Sequence, residues 1–153
     1  MKFIVTQETA RLGRWLRILG FDTRITGSVS WEKVVILAVR EARVLVSRSR
    51  RPVEGVRVAR IFVSSDRWKE QLREVFRACP SLGKTGQIFS RCVKCNSALK
   101  EIDRRCCPVE LPERVARRNA AVKRCPRCGK IYWKGTHETK VLQALRDTLK
   151  HGE

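Results

Sequence analysis

No apolar run in this chain of 153 residues approaches the roughly 20 residues a helix needs to cross a bilayer, which excludes an integral membrane protein of that kind. The opening Met1-Lys2-Phe3-Ile4-Val5-Thr6 is strand-like and lacks the long apolar region of a signal peptide, so a cytoplasmic rather than a secreted protein is expected. Acidic side chains are scarce: 15 Asp and Glu stand against 34 Lys and Arg, a formal charge of +19 with a pI near 10.7. The even, regular cysteine spacing of a disulfide framework is missing as well. Of seven cysteines, only Cys92–Cys95 and Cys125–Cys128 form Cys-x-x-Cys pairs, and Cys79, Cys106 and Cys107 are left over. That pattern fits reduced thiols with one metal site. With 42 % hydrophobic residues, a packed core is available and wholesale disorder is excluded.

What is present is positive charge, and it is spread evenly. Residues 1–90 hold 18 basic and 8 acidic side chains, and residues 91–153 hold 16 and 7. A basic tail would act as an arm. Here a folded surface must carry the charge, and a polyanion would screen the resulting self-repulsion. RNA or DNA is the expected partner class, and no membrane is expected.

Residues 1 to about 85 alternate strand and helix signals. Lys2–Val5 reads as a strand. Thr9–Leu19 reads as a helix with Leu12, Trp15, Leu16 and Leu19 on one face, ended by Gly20. Asp22–Thr26 reads as a short strand or loop. Ser30 is expected to cap a helix over Trp31–Glu41, with Val34, Leu37 and Ala38 inward. Arg43–Ser47 and Val56–Val63 read as strands. Ser65 is expected to cap a third helix, Asp66–Cys79, with Trp68, Leu72, Val75, Phe76 and Cys79 on its stripe. The order predicts an α/β domain with a mostly parallel sheet flanked by helices. Pro80 and the 83–86 stretch read as a linker to a second unit, residues 86–153, which closes with a helix near His137–Lys150.

In that second unit each Cys-x-x-Cys forms a tight turn that aims two thiolates at one ion. Cys92, Cys95, Cys125 and Cys128 together supply a closed tetrahedral zinc site, structural because four thiolates leave no open position. The 29 residues between Cys95 and Cys125 exceed ordinary ribbon spacing, so an insertion separates the knuckles. Cys106 and Cys107 are expected to be bystanders and Cys79 a core residue. His137 reads as a helix-start residue.

The run Lys2-Phe3-Ile4-Val5, then Arg11-Leu12-Gly13-Arg14-Trp15-Leu16-Arg17-Ile18-Leu19-Gly20-Phe21-Asp22-Thr23, resembles the opening of the Mut-seven C-terminal RNase domain family. Arg43-Val44-Leu45-Val46-Ser47-Arg48, Arg91-Cys92-Val93-Lys94-Cys95-Asn96 and Cys125-Pro126-Arg127-Cys128 through His137 resemble later family segments. The resemblance implies a PIN-like nuclease fold fused to a zinc ribbon. In such a fold several carboxylates at strand ends hold a divalent ion whose bound water attacks a phosphodiester. Where the family places aspartates, this chain has Thr6, Ser30 or Trp31, and Ser49. Arg48, Arg50 and Arg51 crowd the same region. Neutral hydroxyls cannot replace carboxylates around a hard divalent ion, and the arginines repel a cation and attract phosphate.

Three functions follow as expectations. The first is a non-catalytic RNA-binding protein, a component of a stable ribonucleoprotein such as the ribosome, in contact with structured or ribosomal RNA and neighbouring proteins. Its phosphate contacts are expected from Arg11, Arg14, Arg17, Arg48, Arg50, Arg51, Lys94, Lys123, Arg124, Arg127, Lys130 and Lys134. Tyr132 and Trp133 either stack on bases or pack against the ribbon. The second is a metal-dependent ribonuclease with relocated acids, Glu8, Glu32 and Asp66. The third is a protein-binding zinc-ribbon adaptor.

Overall fold

The computed structural model describes residues 1–84, 87–113, 117, 121–133 and 136–150. Strand β1 (Lys2–Val5) sends alternate side chains to opposite faces: Phe3 and Val5 join one core, Ile4 the other. Helix α1 (Ala10–Ile18), strand β2 (Asp22–Ile25), helix α2 (Trp31–Arg40), strand β3 (Val44–Ser47), strand β4 (Arg60–Phe62) and helix α3 (Trp68–Ala78) follow. The four strands form one sheet in the order β2-β1-β3-β4, and every pairing is parallel. Both faces of such a sheet must be covered. Leu12 and Leu16 of α1 and Leu72 and Val75 of α3 cover one, and Val34, Val35 and Ala38 of α2 cover the other.

The α/β architecture expected from the sequence is therefore present, with differences at the edges of elements. The fourth strand keeps only Arg60–Phe62 of the expected Val56–Val63, because β3 offers partners only along Leu45–Ser47. Helix α3 starts at Trp68, not Asp66, and its N-cap Arg67 makes no side-chain cap. Ser65 instead accepts the Arg67 N–H in a local turn. Ser30 does cap α2, accepting from the Lys33 N–H. The stretch read as a linker contributes Leu82 to the main core at 2 % exposure.

Helix α1 ends in a Schellman turn. The Phe21 N–H reaches the Leu16 carbonyl, the Gly20 N–H reaches that of Arg17, and Gly20 sits at φ +90°. A Cβ at Gly20 would lie 2.3 Å from the Gln87 carbonyl oxygen, so glycine also lets the chain entering the second unit pass close.

That unit contains a three-stranded antiparallel sheet, β5 (Lys100–Ile102), β6 (Val122–Arg124) and β7 (Ile131–Trp133), ordered β5-β6-β7. Helix α4 (Thr136–Lys150) returns to the first unit, where Val141 and Leu145 enter the same core as Leu12 and Leu72. Arg73 of α3 donates to the Thr148 carbonyl. No helix among the described residues is long and apolar enough to cross a membrane.

Candidate metal centre and sheet mouth

The two Cys-x-x-Cys turns share one local design. In the first, the Cys92 N–H bonds the Ser97 carbonyl and the Asn96 N–H bonds the Cys92 carbonyl; in the second, Cys125 pairs with Lys130 and Gly129 with Cys125. Each turn closes through a left-handed residue, Asn96 at φ +67° and Gly129 at +73°. The four sulfurs lie within 4.8 Å of one another, with Cys92–Cys128 at 3.6 Å and Cys95–Cys125 at 3.3 Å. A tetrahedral zinc with bonds near 2.3 Å requires sulfur separations of about 3.8 Å, so the donor set fits zinc with a small adjustment. Cys106 and Cys107 lie outside this cluster. Cys79 is half-buried against the main core.

Burial alone would raise the Cys92 thiol. Hydrogen bonds from the Tyr132 hydroxyl and from the N–H groups of Cys95 and Lys94 outweigh it and bring it down to about 6. The Tyr132 hydroxyl lies 3.2 Å from the Cys92 sulfur and accepts the Val93 N–H at 3.1 Å. Its own pKa is pushed up, first by burial and then by that sulfur. Tyr132 therefore serves the metal centre through its hydroxyl, whereas Trp133 is 39 % exposed. Tyr132→Phe should lift the Cys92 thiol back toward ordinary values and let protons compete for the sulfur. Zinc affinity should fall about 10- to 100-fold, more so below neutral pH, in competition with a chromophoric chelator.

The first knuckle is fastened to the parallel sheet by residues that sequence reasoning read otherwise. Arg17, expected to contact phosphate, is 7 % exposed. Its Nε donates to the Thr23 carbonyl at 2.8 Å, and its Nη1 to the carbonyls of Val93 and Lys94 at 2.9 and 2.8 Å. Burial lowers the guanidinium pKa while Cys92 and Cys95 raise it. Asn96 accepts the Thr23 N–H and donates to Asp22, which also receives Arg43 at 2.6 Å. Burial favours the neutral Asp22 carboxyl, but these hydrogen bonds and the Arg43 and Arg91 charges hold it below the ordinary carboxylate range. Asn96 thus occupies the open edge of β2, which has β1 as its single strand neighbour. The available signal was that Arg17, Asp22, Thr23, Arg91 and Asn96 all lie in the segments that carry the family resemblance.

The opposite, carboxyl-terminal end of the strands forms a mouth. The chain order reverses direction between β1 and β3, the place where open α/β sheets bind ligands. A cavity of about 350 Å³ opens there, lined by Thr6 and Glu8 after β1, Thr26 and Ser28 after β2, Trp31 and Val34 of α2, and Ser49 and Arg51 after β3. Among the described residues Glu8 is its one carboxylate, and it accepts the Thr6 hydroxyl at 2.6 Å. The loop after β3 is held by Arg60, whose guanidinium donates to the carbonyls of Ser49 and Arg51 and lies 5.0 Å over the Trp31 ring. Arg48, Arg50 and Arg51 are exposed there, Arg50 over Phe62.

Glu8, Glu32 and Asp66 do not form one cluster: Glu8 and Asp66 border a common cavity beside Trp68, and Glu32 does not line it. Among the described residues, the four cysteines are the group of three or more His, Cys, Asp or Glu close enough to share an ion. Glu32 is exposed on α2 and does not line the mouth. Its carboxyl is held below the ordinary range by backbone and Ser30 hydrogen bonds at the helix start.

Of the remaining expected cations, Arg11 and Arg14 are exposed on α1, and Lys94, Arg124, Arg127 and Lys130 are exposed on the knuckles and β6. Lys130 lies over the Tyr132 ring. Lys123 is half-buried and donates to the Phe89 carbonyl. Lys134 and the His137 side chain lie outside the described residues. The family model described as the Mut7-C RNAse domain matches residues 1–145. No curated protein and no solved structure matches the chain.

Proposed function

Since the chain belongs to the Mut7-C RNAse domain family, with its nuclease-like, RNA-related function, we propose that it is an RNA-binding protein that has kept the fold without the cleaving site. The observation that carries this reading is the mouth of the parallel sheet. Among the described residues its polar lining is hydroxyls, Gln7 and Arg51, with Glu8 as the one carboxylate, already bound to Thr6. A hard divalent ion needs anionic oxygens to compete with its own hydration, and one engaged carboxylate beside arginines is a poor competitor. A phosphate meets the reverse balance: the exposed guanidinium groups of Arg48, Arg50 and Arg51, in a loop that Arg60 keeps in place.

The exposed cations of α1, of the loop after β3 and of the knuckles extend this charge beyond the mouth. They read backbone and shape more than sequence. Zinc at the other end of the strands stiffens the ribbon that presents its share of them. A small basic protein of this kind suits a cytoplasmic ribonucleoprotein particle such as the ribosome.

The test pairs two measurements. Affinity for labelled single-stranded RNA should fall about 1,000-fold between 50 and 200 mM salt, as expected for some eight neutralised phosphates. Incubation of the same RNA with Mn²⁺ should leave it intact, and the protein should co-sediment with ribosomes at low salt and leave them at high salt. Divalent-dependent cleavage that Glu8→Gln abolishes would overturn the non-catalytic reading. Weak, salt-insensitive RNA binding would favour a protein-docking adaptor instead.

A further inference from the structure

Trp15 and Trp68 lie face to face, ring centroids 4.2 Å apart and 5° from parallel. Both are half-buried, at the rim of the main core rather than within it. Beside Trp68 opens a cavity of about 430 Å³, lined also by Glu8, Arg11, Asp66, Lys69 and Glu70, the last already paired with Arg73. Glu8 lines the sheet mouth as well, so the two spaces adjoin. Arg11 and Lys69 stand over the Trp68 ring at 5.6 and 5.9 Å.

Resting on the reading of the mouth as a phosphate grip, we propose that this cavity is a nucleobase subsite for single-stranded RNA, selective for a base that carries an exocyclic amino group. A phosphate in the mouth places the neighbouring base within reach of the cavity. The base stacks on the Trp68 indole, whose position is secured by Trp15 behind it. Arg11 and Lys69 move aside from the ring toward the flanking phosphates. An aromatic shelf bordered by cations is the arrangement that holds unpaired bases, and a duplex has no splayed base to offer it.

An acid supplies the selectivity. Asp66, which lines this cavity and not the mouth, is a poor neighbour for a phosphate, yet a carboxylate is an acceptor only and suits an amino donor. Cytosine presents such a donor at the position where uracil presents a carbonyl oxygen. Oligo-C and oligo-U of one length carry the same charge, so their comparison cancels the electrostatic term that dominates overall affinity.

Titration of the full-length zinc-loaded protein with the two oligomers, read by anisotropy, tests the subsite. Oligo-C should bind about tenfold more tightly than oligo-U. Trp68→Leu should weaken both about tenfold, and Asp66→Asn, outside the mouth, should erase the preference while oligo-U binding is retained. Ultraviolet crosslinking of oligo-C to the unaltered protein should map to the peptide containing Trp68, a readout that stands even if Trp68→Leu does not fold. Equal affinity for the two oligomers, or crosslinks confined to residues 48–51 and the ribbon, would overturn the subsite while RNA binding stands. Binding of neither oligomer at 50 mM salt would remove the RNA-binding reading, and the subsite with it.

Discussion

Removing zinc with a chelator, or replacing Cys92 with serine, should unfold the ribbon and loosen the parallel sheet. Strands β5, β6 and β7 have three residues each, too few to hold together unaided. Among the described residues, the fully buried hydrophobic positions of this region are Cys92, Val122 and Cys125, two of them metal ligands. Without the ion the four sulfurs lie within 4.8 Å of one another, and the Tyr132 hydroxyl, a few backbone N–H groups and the Arg17 charge offset them only in part. Structural zinc contributes about 10 kcal/mol or more in small modules, comparable with the whole stability of an ordinary domain. The sheet loses its own share. The first knuckle supplies two carbonyls to Arg17, and Asn96 caps the edge of β2. Amide resonances of the ribbon should therefore collapse on chelation, and those of β2 and of the end of α1 should broaden or shift. Cys106→Ser, at an exposed cysteine away from the cluster, should leave the melting curve in place. An unchanged melting curve after complete metal removal would contradict the structural role.

The second large effect is expected at Arg17. Arg17→Met keeps most of the apolar stem and removes the guanidinium. The carbonyls of Thr23, Val93 and Lys94 then lose their charged donor. Hydrogen bonds to a charged group contribute about 1.5–3 kcal/mol each and overlap when they share one donor, so a loss of about 4 kcal/mol in urea unfolding is expected. The positive charge that Cys92 and Cys95 feel also disappears. Lysine should not rescue the variant: one ammonium cannot aim parallel donors at carbonyls 70 residues apart in sequence as a planar fork does. Arg14→Met, on the exposed face of the same helix, should change stability by no more than about 0.5 kcal/mol. The opposite outcome, weaker RNA binding with stability intact, would return Arg17 to the phosphate-contacting surface.

These two sites mark where sequence reading succeeds and where it stops. The metal ligands were legible because a Cys-x-x-Cys turn is a local object: its spacing alone sets two sulfurs on one side of the chain, and two such turns make a closed set. The strands and helices of the first unit were legible for the same reason. Leu12, Leu16 and Leu19 repeat with helical period, and Val44, Leu45 and Val46 form the continuous apolar run of a strand covered on both faces. Glu8, Glu32 and Asp66 were nominated together on their nearness to strand and helix ends. Nearness along the chain does not decide on which side of a helix a carboxylate emerges, and Glu32 is exposed and does not line the mouth that Glu8 lines.

By itself, then, the sequence determined what repeats or pairs over a few residues: an α/β sheet with helices on both faces, four thiolates for zinc, and a charge that calls for a polyanion. Tertiary structure alone decided which cations face solvent and which are structural. An arginine is buried only if carbonyl acceptors wait for it, and those of Arg17 come from a strand and a knuckle that no local pattern connects. It likewise decided that Tyr132 supports a sulfur, and that Trp15 and Trp68, each a core residue by its own helical stripe, meet as a stacked pair beside an open cavity. Such pairings depend on how helices cross over the sheet, and that crossing is set by packing across the whole core.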